Sequence, residues 1–397
     1  MANNFDSNFT RKLMEKTIAP FESERVISKN VNTQLFAGQF NPQSGTVVDV
    51  KRPTDHTVIK TSDGNISTTR SDIINGKASA TVQDYITVAV DYNEVDEALK
   101  MGNTASLFDD IARRMVIDLE TTFAAFAMKN TALLQGTVGE GVNAWSEIAY
   151  AGALMESSGV PRSKPWCYFL NSYSQAALAD GQRSLGVNPT VESANANATV
   201  MSNFAGFDVK TANTLPSYAA QAGADRVGAL AASPNVTYLA HKDTMQQSLS
   251  LDGLTNNLAI KAGEQIKITG INRLNLSTRQ PIIDQAGANI VYTGTVVADV
   301  TVSGSNTATV LVSGPAIFEA AGAYNTVDSA PVEDDVVTIL GSASTTYQPN
   351  LFWHPDAFTI ASVPLQKLHS TDTLATTSDG LQMRCSKYSD GSANKQT

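Results

Sequence analysis

The chain has 397 residues, of which 42% are hydrophobic and 17% charged, and its net charge is −10. This composition excludes a disordered chain, because it supplies apolar side chains for folded cores and carries little charge. The acidic balance also argues against nucleic acid as the main partner, since such a binder needs a dense basic face. The length predicts two or three modules.

Residues 1–45 are predicted to form an N-terminal arm. Their apolar side chains follow a loose helical spacing that Pro20 interrupts, and glycine and proline residues end the pattern. Because such a weakly amphipathic segment seldom forms its own core, we expect it to reach across to a neighbouring surface; a frayed terminus is the alternative. The first residues lack the basic and then apolar pattern of a signal peptide, which favours a cytosolic protein.

Residues 46–80 are predicted to form an extended two-stranded loop. Both ends are rich in strand-forming residues, and Asp63-Gly64-Asn65 is typical of a tight turn between them. A ribbon with so few core-forming side chains is marginal in water by itself, so it either lies on its own subunit or is stabilised by another one. Its charged residues of both signs are candidate intersubunit contacts: Arg52, Asp55, Lys60, Asp63, Arg70 and Asp72.

The segment 81–144 is dominated by one long helix. Residues 85–90 alternate in the manner of a half-buried strand, and a short polar helix is predicted at 94–100. Apolar residues then recur every three or four positions from Leu107 onward, which predicts a helix over 105–130. Its length is roughly twice the average for globular proteins, so we expect it to span a whole domain.

The next segment predicts a mixed α/β module. Its stretch rich in Asn, Ala, Ser and Thr, residues 181–201, is predicted to be a loop. The module extends over 145–222, with helices near 146–157 and 172–179, an apolar strand at 166–170 and a strand candidate at 204–210.

Residues 223–346 are predicted to be an inserted all-β domain, either a small barrel or an immunoglobulin-like sandwich. Helical periodicity disappears, and short alternating runs such as 290–302 are separated by glycine turns. Gly304-Ser305-Asn306 is one such hairpin signal. Because the mixed texture returns over 347–397, we interpret the β block as an insertion, which is tolerated where chain ends lie close together at a surface.

No arrangement of residues in the sequence points to catalysis, a cofactor or a metal. The four histidines are not at metal-ligand spacing from one another, and the phosphate-binding loop and the nucleophile elbow are missing. Cys167 and Cys385 are too few for a disulfide scaffold or a thiolate zinc site. Asp118 and Glu120 point in different directions on the predicted helix and make a poor acid–base pair. No apolar run approaches the roughly 20 residues of a membrane span. We therefore predict a structural or binding protein, not an enzyme.

The order of these segments resembles the major capsid (coat) proteins of tailed bacteriophages, which share the Hong-Kong-97-type fold. The similarity is greatest to the coat proteins of short-tailed temperate phages that carry an inserted β-barrel domain. It extends over essentially the whole chain. The stretches that carry it are 75–78, 85–90, 118–121, 203–207, 349–352, 360–370 and 387–391.

The resemblance implies an α+β fold in which 81–144 form a peripheral domain, and 145–222 begin an axial domain that is completed after residue 347. It implies hexamers and pentamers of the chain in an icosahedral shell, with a scaffolding protein, a portal ring and a decoration protein as candidate partners. The shell is expected to assemble in the bacterial cytoplasm and to expand during genome packaging. Packaged DNA is expected to make only non-specific contacts with the inner surface, and no membrane partner is expected.

Two further expectations follow from the resemblance. Segment 239–243 matches the position at which relatives reach across between capsomers, so Lys242 and Asp243 are candidates for intercapsomer ion pairs; an exposed hairpin turn is the alternative. The family continues after 381–388 with a returning strand, whereas this sequence stops at Thr397. Because an unpaired strand exposes backbone donors and acceptors, we expect a C-terminal strand to be missing from the sequence; a differently closed sheet is the alternative.

Two other classes of protein stay open at this point. A phage tail or adhesion protein with an immunoglobulin-like insert would form tubes, trimers or fibres instead of closed shells. A carbohydrate-active enzyme with an accessory β module would need paired carboxylates in one cleft.

Overall fold

The computed structural model describes residues 6–35, 47–58, 60–65, 73–81, 85–90, 104–182, 189–221, 226–320, 322–368, 372–387, 389–390 and 395–396. The α-helices are α1 Asp6–Glu24, α2 Thr104–Lys129, α3 Trp145–Ser157, α4 Ser172–Gly181, α5 Pro189–Ala196 and α6 Tyr238–His241. Short 3-10 helices lie at Ser28–Asn30 and Pro355–Ala357. The first strands are β1 Asn32–Leu35, β2 Val47–Lys51, β3 Lys77–Thr81, β4 Trp166–Leu170, β5 Asn203–Phe204, β6 Phe207–Thr211 and β7 Tyr218–Ala219. They are followed by β8 Val227–Leu230, β9 Gln246–Asp252, β10 Ala259–Ile260, β11 Gln265–Asn272, β12 Val291–Val296, β13 Val300–Thr301, β14 Ala308–Ser313 and β15 Val336–Ile339. The last are β16 Thr346–Tyr347, β17 Leu351–Trp353, β18 Thr359–Ser362, β19 Thr373–Thr376, β20 Gln382–Cys385, β21 Ser389–Asp390 and β22 Lys395–Gln396.

The chain divides into two compact units. The first comprises Met1–Val48, Ala80–Ala124 and Pro355–Thr397. The second comprises Asp49–Ser79 and Ala125–His354.

In the first unit, the arm helix α1 is buried against its own chain. Met14 and Phe21 pack in one apolar cluster with Ala112 and Val116 of α2 and with Met383 of β20. β1 then continues the arm as the parallel partner of β18. The prediction that the arm lacks a core in its own subunit is therefore wrong for its described part, because a seven-residue apolar spacing gives α1 one buried stripe.

The long helix predicted over 105–130 is confirmed as α2. The strand predicted at 85–90 is wrong: these residues have no regular secondary structure. Tyr85, Ile86 and Val88 are all exposed, and a strand is stable only where a neighbouring strand completes its hydrogen bonds. The short helix predicted at 94–100 lies outside the described residues.

In the second unit, the mixed module is built on a four-stranded sheet in the order β17-β4-β6-β5. The single strand predicted at 204–210 is wrong, because β5 and β6 form a tight antiparallel hairpin. Ala205 and Gly206 both have positive φ, at 51° and 85°, as a two-residue hairpin turn of this type requires. The loop predicted at 181–201 is also wrong in part, because it contains α5.

The inserted β block forms a closed barrel in the order β11-β12-β14-β9-β8-β15, and all six strands lie within 223–346. Leu249 and Leu251 of β9 and Val310 and Val312 of β14 point into one apolar core, as the period of two in these strands predicts. The alternating run at 290–302 is divided into two strands. β12 pairs with β11 and β14 in the barrel, whereas β13 pairs with β10.

The described strands of the C-terminal segment pair with one another. β20 pairs antiparallel with β19, and β21 pairs antiparallel with β22. The strand predicted at 381–388 thus has a partner that precedes it in the sequence, and the expectation of a further C-terminal strand stays a prediction.

Candidate assembly surfaces

The two ends of the extended loop meet in a short ribbon. β2 and β3 form a two-stranded sheet, and Lys77 Nζ on one strand lies 2.8 Å from Asp49 Oδ2 on the other. The Ser79 hydroxyl also donates to Asp49. The hydrogen bonds from Lys77 and then Ser79 lower the pKa of the Asp49 carboxyl, so this pair favours the ionised carboxylate.

The structure separates the charged loop residues into two groups. Arg52 and Asp55 contact the barrel, as described below, whereas Lys60 and Asp63 are exposed. Asp63 Oδ1 accepts the Asn65 N–H at 3.1 Å, so the Asp63 side chain caps a bend at this position. The other two candidates, Arg70 and Asp72, lie outside the described residues.

Lys242 and Asp243 lie in a turn that joins the single helical turn α6 to β9. Lys242 Nζ donates to Asp243 Oδ2 at 2.9 Å, and the backbone N–H of Lys77 donates to Asp243 Oδ1 at 3.1 Å. These bonds, the one from Lys242 first, lower the pKa of Asp243. The predicted intercapsomer pair thus also contacts the extended loop of its own chain.

The loop root, defined as residues 49–55 and 73–79, approaches the barrel closely at Gly76. A Cβ on Gly76 would lie 2.5 Å from the Lys242 carbonyl oxygen and 3.0 Å from the Tyr238 hydroxyl, so a side chain there needs a rearrangement. Beside it, Arg52 Nη2 donates to the Asp243 carbonyl at 3.1 Å. Burial lowers the pKa of Arg52.

A second set of contacts holds Asp55. Its carboxylate Oδ2 lies 2.5 Å from Arg279 Nη2, and its backbone N–H donates to the Tyr324 hydroxyl at 2.9 Å. The Tyr324 hydroxyl donates in turn to the Ile74 carbonyl at 3.4 Å. Its ring stacks on Tyr238, with centroids 3.7 Å apart and planes at 1°. The root of the extended loop therefore lies on its own subunit.

His241 fixes the barrel segment that carries these contacts. Its Nδ1 lies 2.8 Å from the Gln246 carbonyl oxygen and its Nε2 lies 2.7 Å from the Asn235 carbonyl oxygen. The ring thereby connects the segment before α6 with the first residue of β9.

In the first unit, a buried carboxylate anchors the arm, which sequence reasoning missed. Glu120 Oε2 accepts the Ile27 N–H at 2.6 Å, and Oε1 accepts the Ser28 N–H at 2.8 Å. Buried Arg25 donates to Asp379 Oδ2 at 2.6 Å. One signal was available: Glu120 lies four residues after Val116, on the buried stripe of α2.

Within the described residues, no three His, Cys, Asp or Glu side chains come together in a way that could hold a metal ion. In the same part of the chain, no helix combines the length and the hydropathy needed to cross a membrane.

Comparison with known proteins assigns the chain to a class. The profile of the P22 coat protein, gene protein 5, matches residues 1–397. A major capsid protein of Acyrthosiphon pisum secondary endosymbiont phage 1 is 33% identical over 401 residues, covering 100% of this chain and 94% of the relative.

Solved structures are less similar to this chain. One from Mycobacterium phage Che8 has a TM-score of 0.35 and 11% identity, covering 81% of this chain and 90% of that one. The mature capsid of bacteriophage PhiM1 has a TM-score of 0.36 and 13% identity, and the match covers 73% of this chain and 83% of that one.

The full-length sequence matches define the chain as a phage coat protein. It belongs to the P22 coat protein family. This membership confirms the resemblance drawn from the sequence, to capsid proteins of the Hong-Kong-97-type fold with an inserted β domain. The chain is therefore a structural component of the virion.

Proposed function

We propose that this chain assembles, together with a scaffolding protein and a portal ring, into an icosahedral precursor shell that expands when the genome is packaged. The single observation that carries the proposal is the family match over the entire chain. Hexamers and pentamers of the chain tile the shell, a decoration protein is a further candidate partner, and assembly takes place in the host cytoplasm.

The exposed part of the extended loop supplies contacts between subunits in this proposal. Val58 is 85% exposed and Ile73 is 71% exposed, so both gain burial on a neighbouring copy. Lys60 and Asp63 are exposed charges of opposite sign, and Arg70 and Asp72 belong to the same loop. Surface ion pairs are worth about 0–1 kcal/mol each, which lets misplaced subunits leave before the shell closes.

Lys242 and Asp243 are proposed to form ion pairs between capsomers. Their side chains are 24% and 42% exposed, so both reach solvent while they contact each other. Leu239, in the preceding helical turn, is 62% exposed and adds apolar area to the same surface. A net charge of −10 repels packaged DNA, which limits it to non-specific contacts with the inner surface.

The test is co-expression of the chain with the scaffolding protein from its own phage genome, followed by electron microscopy of the particles. Closed shells with rings of five and six subunits are expected. Tubes, trimers or fibres would instead support the tail or adhesion protein, and subunits that stay monomeric beside the scaffolding protein would contradict the proposal.

A further inference from the structure

We propose that the inserted barrel carries a dock for the root of its own subunit's extended loop, and that this dock sets the direction in which the loop leaves the subunit. The dock consists of the barrel residues Tyr238, Asp243, Arg279 and Tyr324. The root is residues 49–55 and 73–79, as defined above, and all of these residues lie in one compact unit.

The dock binds both segments of the root at once. The Tyr324 hydroxyl accepts from the Asp55 N–H on the outgoing side and donates to the Ile74 carbonyl on the returning side. A group that bonds to both segments fixes their separation as well as their position. A contact to one segment alone would leave the ribbon free to rotate about that contact.

Charge adds two further points of attachment. Arg279 pairs with Asp55 on the outgoing side, and its Nη1 also donates to the Asn325 carbonyl at 2.7 Å, which orients the guanidinium. Asp243 accepts the Lys77 N–H on the returning side. The attachments are spread along the ribbon, so they restrain rotation about any one of them.

The dock is rigid because the barrel holds its residues. Tyr238 is 4% exposed and stacks on Tyr324, while His241 ties the backbone on both sides of α6. Lys60 and Asp63 lie beyond the root and are exposed. Because the root is fixed and the distal part is exposed, the root determines the direction in which the loop extends toward a neighbouring subunit.

The same carboxylate serves both the dock and the proposed intercapsomer contact. Asp243 Oδ1 accepts from Lys77 N–H and Oδ2 accepts from Lys242 Nζ. A residue of a neighbouring capsomer that binds the Asp243 carboxylate therefore competes with the loop root for it. This consequence for shells rests on the proposed function, whereas the dock itself concerns the single subunit.

The experiment is hydrogen–deuterium exchange of soluble full-length subunits, followed by assembly with the scaffolding protein. Gly76→Ala disturbs the contact with Lys242 and Tyr238, and Arg279→Gln removes the ion pair. Gly304→Ala is the matched control, because nothing lies within 4 Å of a Cβ built there. In both dock variants we expect exchange in 47–55 and 73–81 to become on the order of tenfold faster.

The barrel strands should keep their protection in both dock variants, and the control should match the parent chain. Shells from the dock variants should be irregular or should not close, and the charge-swapped pair Asp55→Arg with Arg279→Asp should restore slow exchange. Unchanged exchange of the root in both variants would overturn the dock. Faster exchange with shells of normal form would overturn its directing role. Failure of the parent chain to form shells would contradict only the proposed function, since exchange is measured on soluble subunits.

Discussion

Glu120 on the long helix holds Ser28 of the arm through two bonds to one carboxylate oxygen, from the Ser28 N–H at 2.8 Å and from the Ser28 hydroxyl. Its other oxygen accepts from Ile27 N–H, and the residue is 2% exposed. Glu120→Gln replaces one acceptor by an NH₂ group that faces a backbone donor. We expect a loss of about 1–3 kcal/mol in the free energy of unfolding, measured by urea denaturation of soluble subunits.

Asp118→Asn is the matched control for this prediction. Asp118 lies on the same helix, two residues earlier, and is exposed. Its change from carboxylate to amide should alter the free energy of unfolding by no more than about 0.5 kcal/mol. Equal effects of the two substitutions would show that Glu120 does not anchor the arm.

Arg226 and Glu264 form a buried ion pair beside β8 and β11, with 3.0 Å between Nη2 and Oε2 and side chains 8% and 0% exposed. Arg226→Met leaves the Glu264 carboxylate buried without a counter-charge, which should cost about 3–5 kcal/mol. The double variant Arg226→Met with Glu264→Leu should recover most of that loss, because it removes both buried charges. Thermal unfolding of the parent chain, Arg226→Met and the double variant measures this, and a double variant that is no more stable than Arg226→Met would contradict it.

The same carboxyl predicts a pH dependence. Burial raises the pKa of Glu264 above its ordinary value of 4.5, against the opposing effect of Arg226. A raised pKa means that the folded chain binds the proton more tightly than the unfolded chain. The contribution of this group to stability is therefore greatest below 4.5 and falls as the pH rises through the folded-state pKa. We expect the stability of the parent chain relative to Glu264→Gln to decrease as the pH rises above 4.5; a constant difference would contradict this.

Local periodicity was sufficient to predict α2 and the β character of the inserted block. The three-and-four spacing of α2 and the alternation of β9 and β14 depend only on neighbouring residues. The sequence did not predict contacts between distant residues. Ser28 and Glu120 are 92 residues apart, and Asp55 and Arg279 are 224 apart, so neither pair leaves a local pattern.

The burial of the arm is likewise a contact between distant parts of the chain that local sequence patterns do not predict. A weak amphipathic stripe does not reveal whether the surface that covers it belongs to the same chain or to a neighbour. Met14 and Phe21 are buried by residues of α2 and β20 in the same chain. At 204–210 the error has a different origin, because an alanine with positive φ in the turn is not a residue that sequence rules associate with hairpins.

Residues 223–346, expressed alone, should fold cooperatively. The closed barrel keeps its own apolar core, in which Leu249 is 0% exposed, and its strands pair with one another. A thermal melt followed by circular dichroism should show one β-type transition. Leu249→Ala should lower the stability of this fragment by about 2–5 kcal/mol through the cavity it leaves, and a disordered spectrum of the parent fragment would contradict the boundaries of the insertion.

Asp243→Lys should fold but impair shell assembly. The substitution places two like charges side by side at positions 242 and 243, on a surface that we propose to meet another capsomer, and it removes an acceptor from Lys77 N–H. Glu333→Lys, at an exposed barrel site, is the control with the same change in net charge and should form shells normally. The double variant Lys242→Asp with Asp243→Lys restores opposite charges within the pair and should recover part of the yield. Yields are compared by sedimentation and electron microscopy after co-expression with the scaffolding protein, and shells of normal number and form from Asp243→Lys would remove the intercapsomer role of this residue.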